Sequence, residues 1–517
     1  MSYFGIGSRV TDLETDVIVV GAGGSGLAAA VSAAEHGASV IVLEKREQPG
    51  GTTGIAVGSY TAAKTRQQRA AGIEDDVNAH AEDAGKFADS TIEARNNEPL
   101  RAYFLDQAAD TLEWLQSFGL SFVGPHPEPP NRVPRMHNVV PGGHAYVAAL
   151  QHALRQHQGK LICQASVTHL LQEADRVTGV AVNIAGEPRE IRARYGVILA
   201  AGDYANNHQL IAEHKGTAYR DIEGINPHAT GEGHQLAAAA GGQLVNMDVT
   251  YGPELRFIAP DKTSKRQGLP THGRSARLLG AIAKRAPKWL TRRMAKRLLV
   301  TWQHPENALF DDGAILLNEQ GTRFVDETRW PDREIALAQQ SNKQAYILLD
   351  GELHQRYSAW PHFISTAPDI AYAYVADYLR LRPDVAIRNP GLREVCRQRN
   401  LPTTAVENTL RTLNATAKRN APCPYGRAVC RELQSGPWVL LGPVKAYFTT
   451  TEGGARINRQ MQVLDADGQV ISGLYAVGQN GLSGMVLFGH GLHIAWAMTS
   501  GRLAGTHIMH ATGPQHP

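Results

Sequence analysis

The stretch Asp16-Val-Ile-Val-Val-Gly-Ala-Gly-Gly-Ser-Gly26 decides the fold of this 517-residue chain. Its run of β-branched residues predicts a short buried parallel strand, and three spaced glycines follow that strand directly. An Ala-rich segment of helical character comes next, and a second apolar strand, Ser39-Val-Ile-Val-Leu43, ends at Glu44. Strand, glycine turn, helix, strand and acidic residue in this order predict a Rossmann-type dinucleotide-binding unit.

Each glycine of the turn has a physical role in holding a pyrophosphate. Gly21 permits the tight turn, Gly23 lets the backbone approach the phosphates, and Gly26 lets the helix lie close to the strand. The N-terminus of the helix offers free N–H groups and a partial positive charge to the phosphates. The Glu44 carboxylate can accept hydrogen bonds from both ribose hydroxyls and would repel a 2′-phosphate.

Three further segments favour FAD over a nicotinamide cofactor. The second strand extends into a Gly-Gly-Thr loop at 45–53, residues 195–204 form a strand that closes on a small-residue turn, and residues 473–480 form a third strand and turn. Separated segments that converge on one cofactor suit FAD, which is longer than a single βαβ unit can hold. The residues expected to contact FAD are Gly21, Gly23, Gly24, Ser25, Gly26, Glu44, Lys45, Gly50, Gly51, Thr52, Thr53, Val167, Ala201, Gly202, Gly478 and Gln479.

The length and cysteine content limit the organisation of the protein. Single cores stop growing at roughly 250–300 residues, so two domains are expected. The cysteines Cys163, Cys396, Cys423 and Cys430 form no CxxC pair or zinc spacing, which predicts no metal site and fits a reducing compartment. The N-terminus lacks a signal-peptide core, and no stretch approaches the ~18 apolar residues of a spanning helix. We expect a cytoplasmic protein, and contact with one side of a membrane stays open.

A basic segment interrupts an otherwise acidic chain. Residues 262–305 hold twelve of the 52 Lys and Arg and no Asp or Glu, which leaves 40 basic and 49 acidic residues elsewhere. Within 275–300, Leu290, Met294 and Leu298 recur every four residues with basic residues between them, after Trp289. The pattern predicts an amphipathic helix, which either lies on anionic lipid or is an ordinary helix with solvated charges. Nucleic-acid binding is not expected, because nothing else in the chain is basic.

Most of the chain resembles the fumarate reductase/succinate dehydrogenase flavoprotein superfamily, in particular its soluble branch with the 3-ketosteroid dehydrogenases. Besides the FAD segments, the resemblance is carried by residues 111–115, 230–234, 321–327, 408–414, 453–454 and 501–505. It implies an α/β fold with a split Rossmann-type FAD-binding domain, at 1–248 and 449–517. It also implies an inserted α+β capping domain at 249–448, which contains the basic insert 262–305. Residues 50–64 contain no His, so the resemblance implies non-covalent FAD.

The resemblance also implies oxidoreduction of a carbon–carbon bond beside a carbonyl group. Such chemistry needs hydride transfer to or from the flavin, a group that moves a proton, and donors to the carbonyl oxygen. Fumarate reductases hold dicarboxylates with arginines, whereas the stretch 483–494 contains no arginine. Ketosteroid dehydrogenases use tyrosines and a glycine N–H. Gly491 matches that glycine, whereas Leu487 stands where those enzymes have the basic tyrosine.

Several residues remain as candidates for proton transfer. They are Tyr146, Tyr251, Arg256, His490 and His493. A histidine titrates near neutrality, and His490 is favoured because it adjoins the expected oxyanion glycine, Gly491. Other candidates have two interpretations each: Thr450 and Thr451 as substrate ligands or turn residues, and Arg329 and Arg333 with Glu327 as a charged relay or a buried ion pair.

These considerations predict an FAD-dependent enzyme that desaturates a cyclic or apolar ketone at its α,β-bond. Gly491 would supply part of the oxyanion site, and a Tyr or His would take the proton. Two alternatives stay open: an ene-reductase of an enone or unsaturated carboxylate, and a flavin-holding membrane-surface protein without catalysis. The sequence does not identify the external electron acceptor.

Overall fold

The computed structural model describes residues 13–260, 271, 273–285, 287, 293, 296–297, 299–301, 304–367, 371–419 and 421–510. Trp289, Leu290, Met294 and Leu298, which carry the predicted amphipathic pattern, lie outside the described residues. Among those described, no helix is long and apolar enough to cross a membrane.

A central eight-stranded sheet forms the first layer of the fold. The strands of the N-terminal half of the chain are β1 Leu13–Val20, β2 Val40–Glu44, β3 Ser59–Thr61, β4 Ser121–His126, β5 Met136–Val140, β6 Lys160–Cys163, β7 Ala165–Glu173, β8 Arg176–Ile184, β9 Glu187–Leu199, β10 Glu223–Gly224 and β11 Leu244–Val245. The sheet is completed by two C-terminal strands, β22 Gln462–Leu464 and β23 Val470–Ala476. Its order is β22-β23-β8-β9-β1-β2-β6, with β7 paired to β8.

The four strands predicted to meet the cofactor end at one edge of this sheet. β1, β2, β9 and β23 run parallel, and Val20 is in register with both Leu43 and Leu199. Ala476 is in register with Leu199 on the other side. Because parallel strands share a carboxyl edge, the turns that follow them converge there, as ligand sites in open α/β sheets do. The sequence-based prediction of an α/β, Rossmann-type fold is therefore confirmed.

Helices cover the central sheet and surround its carboxyl edge. They are α1 Gly24–Glu35, α2 Gly51–Ile55, α3 Arg66–Ala70, α4 Val77–Ala84, α5 Ser90–Glu93, α6 Glu98–Ser117, α7 His144–Gln156, α8 His208–His214 and α9 Glu232–Ala239. The C-terminal helix, Leu492–His510, packs tightly along α1 because Gly501 and Gly505 face it without side chains. A Cβ at either glycine would clash with the α1 backbone, so the close helix contact requires glycine there.

A second core lies under a six-stranded sheet in the middle of the chain. This sheet contains β10 and five later strands, β13 Glu254–Phe257, β14 Ile315–Leu317, β15 Ala345–Leu349, β18 Ala386–Asn389 and β19 Trp438–Phe448. The other strands form two-stranded sheets, β12 Thr250–Tyr251 with β20 Thr450–Thr451, β16 Ser365–Ala367 with β17 Ala371–Ala373, and β11 with β21 Gly454–Ala455. Its helices are α10 Gly273–Arg285, α11 Ala308–Asp311, α12 Asp332–Ala338, α13 Gly351–Arg356, α14 Val375–Leu381, α15 Leu392–Gln398 and α16 Thr403–Lys418. β19 is the centre of the larger sheet, where it pairs with β10, β13, β15 and β18.

The two cores meet where the chain enters and leaves this second region. β12 pairs with β20, which places Tyr251 opposite Thr450. Before this junction, Tyr204, Ile222 and Met247 pack into the second core, whereas Leu236 and Ala237 pack into the first. The segment before residue 248 thus contributes to both cores, and the domain boundary at residue 248 stays a prediction.

The cysteines depart from the simplest expectation for a reducing compartment. Cys423 and Cys430 form a disulfide, whereas Cys163 and Cys396 are free. The two cysteines are seven residues apart, which is neither a CxxC pair nor a zinc spacing, so the sequence analysis did not predict this disulfide. No group of three or more potential metal ligands occurs in the described part of the chain.

Candidate active site

A cavity of about 350 Å³ runs from the glycine turn after β1 to the junction between the two cores. At one end it is lined by the turns after β1, β2, β9 and β23, and at the other by Tyr251, Arg256, His490 and His493. A single cavity therefore connects the predicted dinucleotide site to the predicted catalytic residues.

The glycine turn has the shape that a pyrophosphate requires. A Cβ on Gly21 or on Gly26 would collide with backbone, of Ala200 and of Gly21 respectively. A Cβ on Gly23 would meet only the Gly51 Cα, at 3.9 Å, and a Cβ on Gly202 would meet nothing within 4 Å. Gly21 and Gly26 are therefore packed against neighbouring backbone, whereas Gly23 and Gly202 face open space. A cofactor can approach the backbone at Gly23 and Gly202.

The second strand supplies two charged side chains to this end of the cavity. Glu44 is 6% exposed, and its Oε2 accepts a hydrogen bond of 2.9 Å from the Ala22 N–H. The carboxylate thereby holds the glycine turn against β2 and lines the cavity where a ribose would lie. Lys45 Nζ donates to Glu232 Oε1 and Thr230 Oγ1, both at 2.7 Å.

Asparagine and serine side chains fix the other two turns. Asn480 Oδ1 accepts a hydrogen bond of 2.6 Å from Ala201 N–H, and its Nδ2 donates to the Gly202 carbonyl. The Gly478 N–H donates to Ser500 Oγ at 2.9 Å. The turns after β9 and β23 are thus fastened to each other and to the C-terminal helix, which leaves their cavity faces available for a ligand.

Nearly all residues predicted to contact FAD line the cavity. Those that do are Gly21, Gly23, Gly24, Ser25, Glu44, Lys45, Gly51, Thr52, Thr53, Val167, Ala201, Gly202, Gly478 and Gln479. Gly26 and Gly50 do not. Gly26 faces the β1 turn, and Gly50 donates its N–H to the Ala22 carbonyl at 3.0 Å, so both shape the cradle rather than line it.

A histidine–carboxylate pair faces the catalytic end of the cavity. His490 Nδ1 lies 2.6 Å from Oε1 of Glu128, which also accepts the His490 backbone N–H at 2.8 Å. The imidazole is 58% exposed, towards the cavity that it lines, whereas the Glu128 side chain is only 8% exposed. Desolvation in the cleft lowers the pKa of His490, but the hydrogen bond and charge of Glu128 outweigh it, so the pKa lies above its usual value.

A second such pair lies beside the first. His493 Nε2 is 2.5 Å from Oε1 of the fully buried Glu452, whose Oε2 accepts the Leu487 N–H at 3.1 Å. Asp203, 3% exposed, lines the same wall, and burial raises the pKa of its carboxyl group to about 6. Buried carboxylates therefore support His493, and this histidine is tied more tightly to the protein than His490 is.

The capping region contributes a tyrosine and an arginine. The Tyr251 ring stacks on Phe488, with centroids 5.0 Å apart. Burial and the charge of Glu254 raise the pKa of Tyr251 well above its usual range, so its hydroxyl stays protonated near neutral pH. Arg256 Nε and Nη2 donate to Glu254 Oε2 at 3.0 and 2.5 Å, and Nη2 also donates to Thr449 Oγ1 at 3.0 Å.

Gly491, the predicted oxyanion glycine, has a left-handed backbone conformation and lies in tight packing. Its φ is +86°, and a Cβ there would lie 2.8 Å from Thr61 Oγ1. The Gly491 carbonyl accepts hydrogen bonds from Thr61 and Ala495, whereas no described residue accepts a hydrogen bond from its N–H. Gly491 lines the cavity just before the C-terminal helix, so its N–H can serve a ligand oxygen.

Tyr146 is not part of the site, contrary to the sequence-based expectation. Its side chain is fully buried, it does not line the cavity, and its hydroxyl donates to the Gly58 carbonyl at 3.1 Å. Burial also raises the pKa of Tyr146 well above its usual value. The residue fixes the loop that precedes β3, and it supports the cavity wall indirectly.

The remaining candidate residues lie at the cavity wall, in the buried interior or on the surface. Thr450 lines the cavity and accepts a hydrogen bond of 2.6 Å from Gln479 Nε2, whereas Thr451 is buried in β20. Arg329 is exposed and pairs with Asp332. Arg333 is buried, pairs with Glu334 and donates to the Glu327 carbonyl, so it stabilises the interior of the capping region.

Sequence reasoning missed the acidic partners of the two histidines. Glu128 and Glu452 are separated from His490 and His493 by 362 and 41 residues. Asp203 lies in the segment 195–204, to which the sequence analysis assigned no acidic role. None of the three has a local motif, because each is brought to the cavity by tertiary structure.

The chain matches the family described as FAD binding domain over residues 16–273 and 280–488. It is 25% identical to a probable fumarate reductase of Shewanella frigidimarina over 499 residues, which cover 95% of this chain and 74% of that protein. It is 27% identical to a vinyl phenol reductase of Lactiplantibacillus plantarum over 527 residues, which cover 97% of each chain.

Solved structures show the same fold. A flavocytochrome c3 fumarate reductase in an open conformation aligns with a TM-score of 0.71 at 24% identity, over 97% of this chain and 79% of that chain. The 3-ketosteroid Δ1-dehydrogenase of Sterolibacterium denitrificans aligns with a TM-score of 0.63 at 18% identity, over 96% and 100%. At these identities the structural likeness concerns the fold alone.

Proposed function

The chain belongs to the FAD binding domain family and is an FAD-dependent oxidoreductase, and from this premise we propose that it reduces a carbon–carbon double bond conjugated to a carbonyl group. The proposed substrate is largely apolar. FAD, once reduced, supplies a hydride to the β-carbon of such a bond. A proton must then reach the α-carbon, and the carbonyl oxygen must be held while it carries negative charge.

The observation that carries this proposal is the His490–Glu128 pair. Glu128 binds Nδ1 and the backbone N–H of His490, so Nε2 is the imidazole atom left for a ligand. No described residue is bonded to Nε2. Glu128 raises the pKa of His490 above its usual value, which favours the protonated imidazole and a role as proton donor. A proton donor at this position favours reduction.

Two other groups would hold the carbonyl oxygen. The Gly491 N–H is adjacent in the chain to His490 and lines the cavity. The protonated Tyr251 hydroxyl lines the same part of the cavity. A pair of such donors lowers the energy of an enolate oxygen without being consumed, as in other oxyanion sites.

The polarity of the cavity argues against a dicarboxylate substrate. Arg256 is the arginine at the catalytic end, and its guanidinium already binds Glu254 and Thr449. Ile55, Val57 and Ile494 line the cavity and offer apolar surface. A substrate with one carbonyl group and an apolar body therefore suits the site better than one with two carboxylates.

The comparisons support reduction but not a particular substrate. The two curated relatives named above are reductases, one of fumarate and one of vinyl phenols, and these compounds differ greatly in polarity. We accordingly take the type of reaction from the relatives and the polarity of the substrate from the residues that line the cavity.

Desaturation of a saturated ketone is the second candidate. The same residues would act in the opposite direction of the reaction. Neutral His490 would accept the proton, and the Gly491 N–H would donate a hydrogen bond to the carbonyl oxygen of the substrate. The position of Gly491 in the cavity favours it, since the ketosteroid dehydrogenases use a glycine N–H in this way. The raised pKa of His490 disfavours desaturation, because it favours the protonated imidazole over the neutral form that would accept a proton.

We also propose that FAD is held without a covalent bond. No His occurs between residues 50 and 64, although His228, His490 and His493 line the cavity. Acid precipitation should release all of the flavin into the supernatant. Flavin that stays with the precipitated protein would contradict this proposal.

The reaction is tested by mixing the dithionite-reduced protein with 2-cyclohexenone, cyclohexanone or fumarate under anaerobic conditions. We expect the enone to reoxidise the flavin and the other two compounds to leave it reduced. If cyclohexanone is mixed with the oxidised protein instead, bleaching of the flavin would establish desaturation. Reoxidation by fumarate alone would establish a dicarboxylate reductase, and inertness towards all substrates tried, in both directions, would favour the non-catalytic alternative.

A further inference from the structure

We infer that helix α10 (Gly273–Arg285) docks this protein on an anionic lipid bilayer, with Leu278 and Ile282 inserted among the lipids. The cavity and its chemistry do not explain this helix. Of its described side chains, none lines the cavity or belongs to either buried core.

The helix presents two large aliphatic side chains to solvent. Leu278 is 64% exposed and Ile282 is 60% exposed, and they are four residues apart. Residues four apart in a helix lie on the same face. The other side of α10 is packed against the protein, since Gly280 is buried and a Cβ there would touch the Ser121 side chain. The exposed pair thus lies on the face that is directed away from the protein.

The charge of the surrounding sequence selects the ligand. The helix contains four basic residues and no acidic one, within a segment of twelve basic residues and none acidic at 262–305. Aliphatic side chains that insert between acyl chains, with cations that attract anionic headgroups, are the two features of helices that bind at membrane interfaces. A protein partner would have to match both features, whereas an anionic bilayer does so without specific shape.

The small sheet under α10 includes β3, the strand that follows a cavity-lining segment. The helix packs on β4 and β5, which form one small sheet with β3. Ile55 and Val57, which are 40% and 41% exposed, line the cavity in the segment that leads into β3. If the proposed function is correct, an apolar substrate would enter the cavity from the lipid side through this segment.

The test is flotation of the FAD-loaded protein with vesicles, which does not depend on activity. Vesicles of phosphatidylcholine with about one third phosphatidylglycerol are compared with pure phosphatidylcholine, at low salt and at about 0.5 M salt. We expect binding only to the anionic vesicles at low salt. We further expect the variant Leu278→Glu/Ile282→Glu to bind about tenfold or more weakly, because it removes both apolar anchors and adds negative charge.

A matched control separates the helix from the general effect of two added charges. Val429 and Val470 are exposed aliphatic residues outside α10, 71% and 44% exposed, and Val429→Glu/Val470→Glu adds the same charge. This control should bind vesicles to within about twofold of the wild type. The flavin absorbance and thermal unfolding of all variants establish that they are folded.

Three results would overturn the inference. The first is wild-type protein that does not float with anionic vesicles at low salt. The second is equal binding by the wild type and Leu278→Glu/Ile282→Glu. The third is the absence of vesicle binding together with tight binding of duplex DNA, or with a dimer that the same two substitutions dissociate, since α10 would then serve another partner.

Discussion

His490 Nδ1 lies 2.6 Å from Oε1 of Glu128, and this pair joins residues 362 positions apart at the catalytic end of the cavity. The carboxylate is buried, whereas the imidazole is exposed along the cavity, so a ligand in the cavity can reach the imidazole. The proposed proton transfer would thus depend on a contact between two distant segments of the chain.

Glu128→Gln should weaken the proton donor without removing it. The substitution keeps a hydrogen-bond acceptor near Nδ1 but removes the charge that raises the pKa of His490. The rate of enone reduction should fall as pH rises through the pKa of the histidine, and this fall should occur at lower pH in the variant. We expect kcat at neutral pH to decrease by about 10- to 100-fold with a smaller change in KM. Glu173→Gln, at an exposed site, is the control, and an unshifted pH profile for Glu128→Gln would refute the role of the pair.

Glu44→Ala should reduce the affinity for FAD. The carboxylate accepts a hydrogen bond from the Ala22 N–H and lines the cavity where the ribose is expected. Alanine would leave both the Ala22 N–H and the ribose hydroxyls without this acceptor. Hydrogen bonds to a charged group contribute about 1.5–3 kcal/mol each, which corresponds to at least a tenfold weaker affinity. Titration of the apoprotein with FAD, followed by flavin fluorescence, measures it. The exposed neighbour Glu47 provides the control Glu47→Ala, and equal affinities of the two variants would exclude Glu44 from the site.

Asp203→Asn should stabilise the protein at alkaline pH. Burial raises the pKa of Asp203 from 3.8 to about 6, so the folded protein binds a proton that the unfolded chain releases between these values. The contribution of the Asp203 carboxyl group to the stability of the wild type is present below pH 4 and is lost as pH rises through 6. At 1.36 kcal/mol per pKa unit, the variant should gain up to about 3 kcal/mol at pH 8 and little at pH 4. Thermal unfolding of the FAD-bound protein across this range measures the gain, with the exposed Asp467→Asn as control. A gain that does not depend on pH would contradict the expectation.

Glu254→Gln should admit carboxylate substrates. It removes a neutralising charge beside the Arg256 guanidinium, which lines the cavity, and it keeps the size of the side chain at position 254. A charge-assisted hydrogen bond to a substrate carboxylate would then raise kcat/KM for an unsaturated carboxylate relative to 2-cyclohexenone by about tenfold. Glu223→Gln disrupts a comparable ion pair with Lys445 that does not line the cavity, and it should leave the ratio unchanged. The same ratio in Glu254→Gln and in the wild type would show that Arg256 does not contact substrate.

Local sequence patterns were sufficient for the fold and for most of the FAD cradle. The β-branched strands that end at Val20, Glu44 and Leu199, and the small-residue turns after them, are determined by neighbours in the chain. Their convergence follows from the common carboxyl edge of parallel strands. Fourteen of the sixteen residues expected at the cofactor therefore line the cavity, and Gly26 and Gly50 shape it.

The catalytic end of the cavity was less accessible to sequence reasoning. Whether Tyr146 faces the cavity or the Gly58 carbonyl depends on the rotation of α7 in the assembled fold, which no local pattern encodes. Glu128 and Glu452 lie in loops without periodicity, and only tertiary packing brings them to His490 and His493. The histidines became candidates because they flank Gly491, the glycine that the resemblance marks, whereas their acidic partners follow no motif.

The most direct test of the central claim is a single-turnover experiment with wild-type protein and His490→Gln. Each is reduced anaerobically, mixed with 2-cyclohexenone near neutral pH and followed by flavin absorbance. The account predicts reoxidation of the wild type with formation of the saturated ketone, and reoxidation of His490→Gln about 100-fold or more slowly. Equal rates for the two proteins would contradict the assignment of His490 as the proton donor.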